Sequence, residues 1–167
     1  ANILNSAYKN PNTKVVIVIT TDKCYENEEW IFPYRENDKL GGHDIYSSSK
    51  ACVELITKAW QKSFLRQDNE VISIASARAG NVIGGGDWTE DRLVVDLVKS
   101  RYTGKMLNVR YPESTRPWQH VLDPLSGYLQ LAMCLSKDKN LIGAYNFGPH
   151  NDSNLTTLEL INLFASF

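Results

Sequence analysis

The sequence is poor in residues that announce a disulfide framework or a metal centre. Its three cysteines, Cys24, Cys52 and Cys134, are odd in number, far apart and never in a Cys-x-x-Cys pair. They read as reduced thiols in a cytosolic protein. The three histidines, His43, His120 and His150, are equally scattered, so no metal is expected. Excess charge is missing too. A net charge of −1 gives no bulk electrostatic reason to expect nucleic acid or an anionic membrane as a partner. No apolar run approaches the roughly 20 residues that span a bilayer, and "ANILNSAYKN" is not a signal peptide.

A glycine loop for a dinucleotide is also absent. "GNVIGGGDW" lacks the Gly-Lys-Ser/Thr ending of a P-loop and does not open a strand–helix–strand unit in Gly-x-Gly-x-x-Gly spacing. Taken alone it is a flexible turn. The chain opens like the last turns of a helix and stops in "TTLELINLFASF", where Thr156 and Glu159 fit a capping box. The expectation is an internal piece of a longer polypeptide.

What is present is a strand–helix–strand pattern. "KVVIVIT" (14–20) is a β-branched run suited to a strand buried on both faces of a parallel sheet. A helix follows from Tyr46 to Phe64, with Cys52, Leu55, Ile56, Ala59 and Trp60 as its expected apolar side. "EVISIASA" (70–77) is a second buried strand. That order argues for a parallel unit with a right-handed crossover. Further on, the pattern predicts a helix over 91–102 using Leu93, Val94, Leu97 and Val98, and a strand at "KMLNVR". It also predicts a helix capped by Asp123 with Pro124 at its first position, and a short strand at "GAYNFG".

Tyr46 and Lys50 stand four apart near the head of the first long helix, which puts both side chains on one face. A free phenol titrates near pH 10, and a neighbouring ammonium favours its phenolate. Such a pair suits removal of a hydroxyl proton during hydride transfer. The spacing alone does not decide. With 8 tyrosines and 11 lysines in the chain, chance gives roughly half a match to the pattern.

The surroundings do decide. "TTDKCYEN", "YSSSK", "RAGNVIGGGDW", "RPWQHVLDPLSGYL" and "YNFGP", in that order, cover nearly the whole chain. The series resembles the extended short-chain dehydrogenase/reductase family and, within it, the nucleotide-sugar 4,6-dehydratases. The resemblance implies a Rossmann-like α/β fold, a parallel sheet flanked by helices. Residues 1–80 would form the C-terminal half of the NAD-binding domain with the catalytic residues. Residues 81–167 would form a mixed substrate-binding region that returns in part to the core.

By the same resemblance Tyr46 is the active-site base. Lys50 is its partner and holds the nicotinamide ribose of NAD. Thr21 hydrogen-bonds the sugar near its C4 oxygen, and Asp22 protonates the departing C6 hydroxyl. Lys23 stands where dTDP-sugar enzymes carry glutamate, which points to a CDP-sugar and to CDP-glucose. As base at C5 it would have to be a neutral amine, the form that burial and nearby positive charge favour. Arg78, Ala79 and Gly80 would lie near the nicotinamide. Asn81 would contact the sugar-nucleotide diphosphate, Arg92 would clamp it from a helix start, and Arg116 and His120 would approach the nucleotide end.

The implied reaction oxidises C4, which acidifies the C5 proton, expels water across C5 and C6, and returns the hydride to C6. It belongs to deoxysugar biosynthesis, including that of lipopolysaccharide O-antigens, in the cytoplasm, with subunits associating through helices that include the one bearing Tyr46. Without the glycine loop, the chain alone is expected to bind NAD poorly and to turn over little. Two other readings stay open: an epimerase or reductase of the same family, against which "TDK" argues, and a non-catalytic nucleotide-binding or assembly module.

Overall fold

The computed structural model describes residues 1–65, 72–150 and 154–166. In chain order its elements are α1 (Asn2–Lys9), β1 (Val15–Thr20), α2 (Ile45–Phe64), β2 (Ser73–Ala79), β3 (Val82–Ile83), α3 (Leu93–Thr103), β4 (Thr115–Pro117), β5 (Gln119–His120), α4 (Leu122–Leu135), β6 (Ala144–Phe147), β7 (Asn154–Thr156) and α5 (Thr157–Ala165). Short 3-10 turns stand at Asp22–Cys24 and Lys139–Leu141. The chain divides into two compact units, Ala1–Gly80 with Pro124–Phe147, and Asn81–Asp123 with Gly148–Phe167.

In the first unit β1, β2 and β6 form a parallel sheet in the order β1–β2–β6. Val15 stands beside Ser73, Thr20 beside Arg78, and Ala79 beside Phe147. Side chains alternate across a strand, and here the alternation feeds a core on each face. On one, Val16, Val18 and Ile74 join Leu4 of α1, Trp60 of α2, Leu65 and Ile72. On the other, Val15, Ile17 and Ala75 meet Leu131 and Leu135 of α4. Ile72 and Ile74 are fully buried, each worth about 1.5–3 kcal/mol relative to exposure. This is a Rossmann-like parallel sheet flanked by helices.

Three expectations need correction in this unit. β1 is only half-buried, and Ile19 is 49% exposed, because among the described residues the strand pairs with β2 alone. The buried side of α2 is not the apolar one: Ser47, Ala51, Glu54 and Thr57 face inward, while Cys52, Leu55, Ile56 and Ala59 are exposed. The reason is a polar cluster under this helix, described below. α4 starts at Leu122, so Asp123 lies in its first turn and does not cap it. The second strand is found from Ser73; Glu70 and Val71 lie outside the described residues.

In the second unit β3 pairs with β5 in parallel and β4 with β7 antiparallel. The expected capping box is present: Thr156 Oγ1 accepts from Glu159 N at 3.1 Å, and the Glu159 carboxylate accepts from Thr156 N at 2.7 Å. In α3 Leu97 is buried as expected, together with Val95. "KMLNVR" is not a strand; Met106 is 97% exposed, so the run has no apolar surface to cover it. No helix among the described residues is long and apolar enough to cross a membrane.

Candidate active site

The parallel order brings the C-terminal ends of β1, β2 and β6 to one edge of the sheet, where α/β folds of this kind bind ligands. At the end of β1 the chain turns at once. Cys24 N donates to Thr21 O at 3.2 Å and Tyr25 N to Asp22 O at 3.2 Å, closing the 3-10 turn Asp22–Cys24. Thr21 is buried and caps the turn: its Oγ1 accepts from Lys23 N at 3.4 Å and donates to Asp22 Oδ1 at 2.9 Å. In this structure the Thr21 hydroxyl is paired with Asp22. Gly80, at the end of β2, lies against the Asp22 carboxylate.

This turn packs against α2. Asp44 caps α2, its Oδ1 accepting from Ser47 N at 2.9 Å and its Oδ2 from Ser47 Oγ at 2.6 Å. Those hydrogen bonds, helped by the charge of Lys23, hold the Asp44 carboxyl below the usual carboxylate range. Gly42 lets the preceding loop close on the helix, since a β-carbon there would lie 2.4 Å from Ser47 Cβ. Tyr46 is 54% exposed on the first turn, and Lys50 Nζ lies 5.4 Å from the centre of its ring. Neither Tyr46 Oη nor Lys50 Nζ hydrogen-bonds another described residue. Thr21, Asp22 and Lys23 on one side, Tyr46 and Lys50 on the other, therefore come from adjoining elements of one sheet edge. Lys23 is exposed, so the burial that a neutral amine at C5 calls for is not supplied by the protein itself.

Arg78, expected to lie near the nicotinamide, turns its side chain inward. Its side chain is 4% exposed and points into the protein, where Nη2 donates to Glu54 Oε2 at 2.8 Å and Nη1 to Tyr25 Oη at 2.6 Å and Glu36 O at 3.0 Å. Glu54, on α2, also accepts from Ser76 Oγ at 2.7 Å and from Thr20 Oγ1. Burial works against the ionised Glu54, yet hydrogen bonds from Arg78, Thr20 and Ser76 outweigh it and hold the carboxyl below its ordinary range. This network escaped the sequence reading. A lone arginine in the small-residue strand "SIASARA" was the available signal, because a buried charge needs a partner. What Ala79 and Gly80 can offer a ligand is backbone.

In the second unit Asn81 takes a left-handed conformation (φ 49°) that asparagine tolerates, and its carbonyl accepts from Gln119 N at 3.3 Å. His120 is exposed on β5, where Ile83 of β3 is its partner, and its Nδ1 accepts from Leu122 N at 3.3 Å. Asn81 and His120 thus share one ribbon. Arg116 is half-buried on β4 opposite Leu155. Arg92 is exposed at the N-cap of α3, and its charge assists the hydrogen bonds from Thr89 that keep Asp87 ionised. A groove of about 400 Å³ lined by Trp30, Phe32, Pro33, Arg35 and Asp38 includes none of the candidate residues.

A parallel sheet with titratable side chains beyond its strand ends is the arrangement of a Rossmann-like α/β fold. Residues 1–151 match the profile of the NAD dependent epimerase/dehydratase family, and the chain belongs to that family. It is 45% identical over 164 residues to CDP-glucose 4,6-dehydratase of Salmonella typhimurium, covering 96% of this chain and 45% of that protein. Among solved structures it is similar to dTDP-glucose 4,6-dehydratase of Bacillus anthracis in complex with NAD. That similarity has a TM-score of 0.79 at 22% identity, over 98% of this chain and 49% of the other. It is also similar to UDP-glucuronic acid 4-epimerase of Bacillus cereus in complex with UDP-glucuronic acid and NAD. There the TM-score is 0.81 at 20% identity, over 98% of this chain and 48% of the other. At those identities the structures establish a shared fold. The chain spans about half the length of the relatives it matches.

Proposed function

We propose that this chain carries the catalytic residues of an NAD-dependent nucleotide-sugar 4,6-dehydratase acting on CDP-glucose. The observation that carries the reading is the Tyr46–Lys50 pair, exposed phenol beside half-buried ammonium, opening α2 next to the turn that bears Asp22 and Lys23. The relative at 45% identity supports the CDP-sugar.

The residues present fit a nicotinamide ribose, because a phenol and an ammonium stand side by side with no other described hydrogen-bond partner. Tyr46 and Lys50 would hold it, with the Ala79–Gly80 backbone alongside. NAD, when bound, supplies the hydride acceptor for C4 and the donor for C6. Tyr46, as the phenolate that the neighbouring Lys50 ammonium favours, takes the proton of the C4 hydroxyl and becomes the neutral phenol. Lys23, covered by the sugar, takes the C5 proton, and a proton returns to C5 when C6 accepts the hydride. Asp22 gives its proton to the C6 hydroxyl, which leaves as water. Asn81, Arg92, Arg116 and His120 serve the diphosphate and nucleotide.

Self-association through α2 is part of the proposal, supported by its exposed Ile45, Leu55 and Ile56; sedimentation of the full chain tests it. For the reaction, the full-length protein that carries this chain is incubated with CDP-glucose and NAD, since the chain alone is expected to turn over little. A 4-keto-6-deoxy product without net NADH is the expected result. A 4-epimer would make the protein an epimerase, and binding without conversion a nucleotide-binding module. Lys23→Met is expected to oxidise C4 and stall before water loss; normal turnover would remove Lys23 from the mechanism.

A further inference from the structure

Tyr46, Lys50 and Glu54 follow one another at intervals of four on α2, so they form one row along the helix. The row runs from exposed phenol to half-buried ammonium to a carboxylate that is 2% exposed. That carboxylate receives donors from three places. Thr20 Oγ1 comes from the last residue of β1, bonded directly to Thr21. Ser76 Oγ and Arg78 Nη2 come from β2, at 2.7 and 2.8 Å. Arg78 in turn donates to Tyr25 Oη at 2.6 Å, and Tyr25 Oη donates to Asn146 Oδ1 of β6 at 2.7 Å.

Such a cluster is a poor choice if stability is its only task. A buried ion pair costs desolvation, and well-packed apolar residues in its place are often as stable or more so. What directional hydrogen bonds add over apolar contact is a fixed register. Here the register is between the helix that carries Tyr46 and Lys50 and the strand end that carries Thr21, Asp22 and Lys23. We propose that Glu54 is a positioning residue for the reaction, with Arg78 and Thr20 as its anchors, holding the two sets of reacting groups at their working separation. The inference rests on the catalytic reading above.

The test uses the full-length protein that carries this chain and separates stability from position. Glu54→Met alone leaves Arg78 buried and unpaired, and is expected to lower the melting temperature. The double variant Glu54→Met/Arg78→Met removes that unpaired charge and is expected to recover most of the melting temperature. It is not expected to recover activity: kcat with CDP-glucose stays about tenfold to a hundredfold down with KM nearly unchanged, as for a small misplacement of reacting groups. Hydrogen exchange at the Ser48–Lys50 amides stays fast relative to Ile74 and Ala75. Return of kcat together with stability would overturn the proposal. Should the double variant not fold, Thr20→Val removes one anchor and leaves the ion pair. It is expected to show the same split of kcat from KM, and wild-type kcat there would overturn the idea equally. If the wild type itself converts no CDP-glucose, the catalytic reading falls, and exchange at Ser48–Lys50 still decides whether Glu54 sets the helix.

Discussion

A β-carbon on Gly80 would lie 2.1 Å from Asp22 Oδ2 and 2.2 Å from the Asp22 carboxyl carbon. The bare backbone at the end of β2 is thus what admits the carboxylate to the sheet edge. Gly80→Ala forces Asp22 aside. The expected cost is about 1–3 kcal/mol of stability from overpacking and about tenfold to a hundredfold in kcat from displacement of Asp22, the proposed acid. Rapid-quench kinetics should show C4 oxidation retained and water loss slowed. An alanine variant with full turnover would detach Asp22 from the elimination.

Glu54 gives the molecule an acid-sensitive element. Burial opposes its charge, but hydrogen bonds from Arg78, Thr20 and Ser76 prevail and depress its pKa in the folded state. A depressed folded value means stabilisation that is whole above the unfolded value, near pH 4.3, and fades as the pH falls through the folded value. Glu54→Gln breaks one side of a buried pair, with an expected loss of about 3–5 kcal/mol at pH 7. Urea midpoints measured from pH 7 down to pH 3 should show the gap between variant and wild type narrowing in acid. A gap that is constant with pH would mean Glu54 is not ionised in the fold.

Much of the sheet was legible because its physics is local. "KVVIVIT" and "GAYNFG" carry β-branched and aromatic residues between turn formers, and both form strands. The reading stumbled where burial and apolarity part company. In α2 the apolar residues Leu55 and Ile56 are outside while Glu54 and Thr57 are inside, since the inner face must answer Arg78, a charge 24 residues beyond Glu54. Periodicity registers only apolar faces, so it chose the wrong side. The two-residue strands β3 and β5 were illegible for another reason: each is held by a partner distant in sequence, without a pattern of its own. At the site, the motifs singled out Tyr46, Lys50, Asp22 and Lys23, and the structure places the elements that carry them side by side. Glu54 and Asp44 were not singled out, because they lie outside those motifs themselves, although their partners Thr20, Arg78 and Ser47 lie within them.

Asp44 fixes where α2 begins, two residues before Tyr46. Asp44→Ala removes acceptors from Ser47 N and Ser47 Oγ, and the first turn should fray. The expected result is a melting temperature lower by a few degrees and faster exchange at Ser47 and Ser48. Asp44→Asn should restore both, since asparagine caps as well without the charge. Its failure to do so would assign the effect to the neighbouring Lys23 charge and not to the cap.

Cys24 reports on the same turn from the inside. It is fully buried between Lys23 and Tyr25, and burial pushes its thiol up to about 12 despite the lowering influence of Arg78. At pH 8 it is therefore protonated and sheltered, while Cys52 and Cys134 are exposed. A thiol reagent in excess should label two cysteines promptly and the third only as the protein unfolds, because the thiolate is the reacting species. Denaturant should raise the rate for Cys24 in step with loss of helical signal. Native-state labelling of Cys24 as fast as Cys52 would mean that the turn opens freely. Asp22 and Lys23 would then have no fixed place beside Tyr46 from which to act.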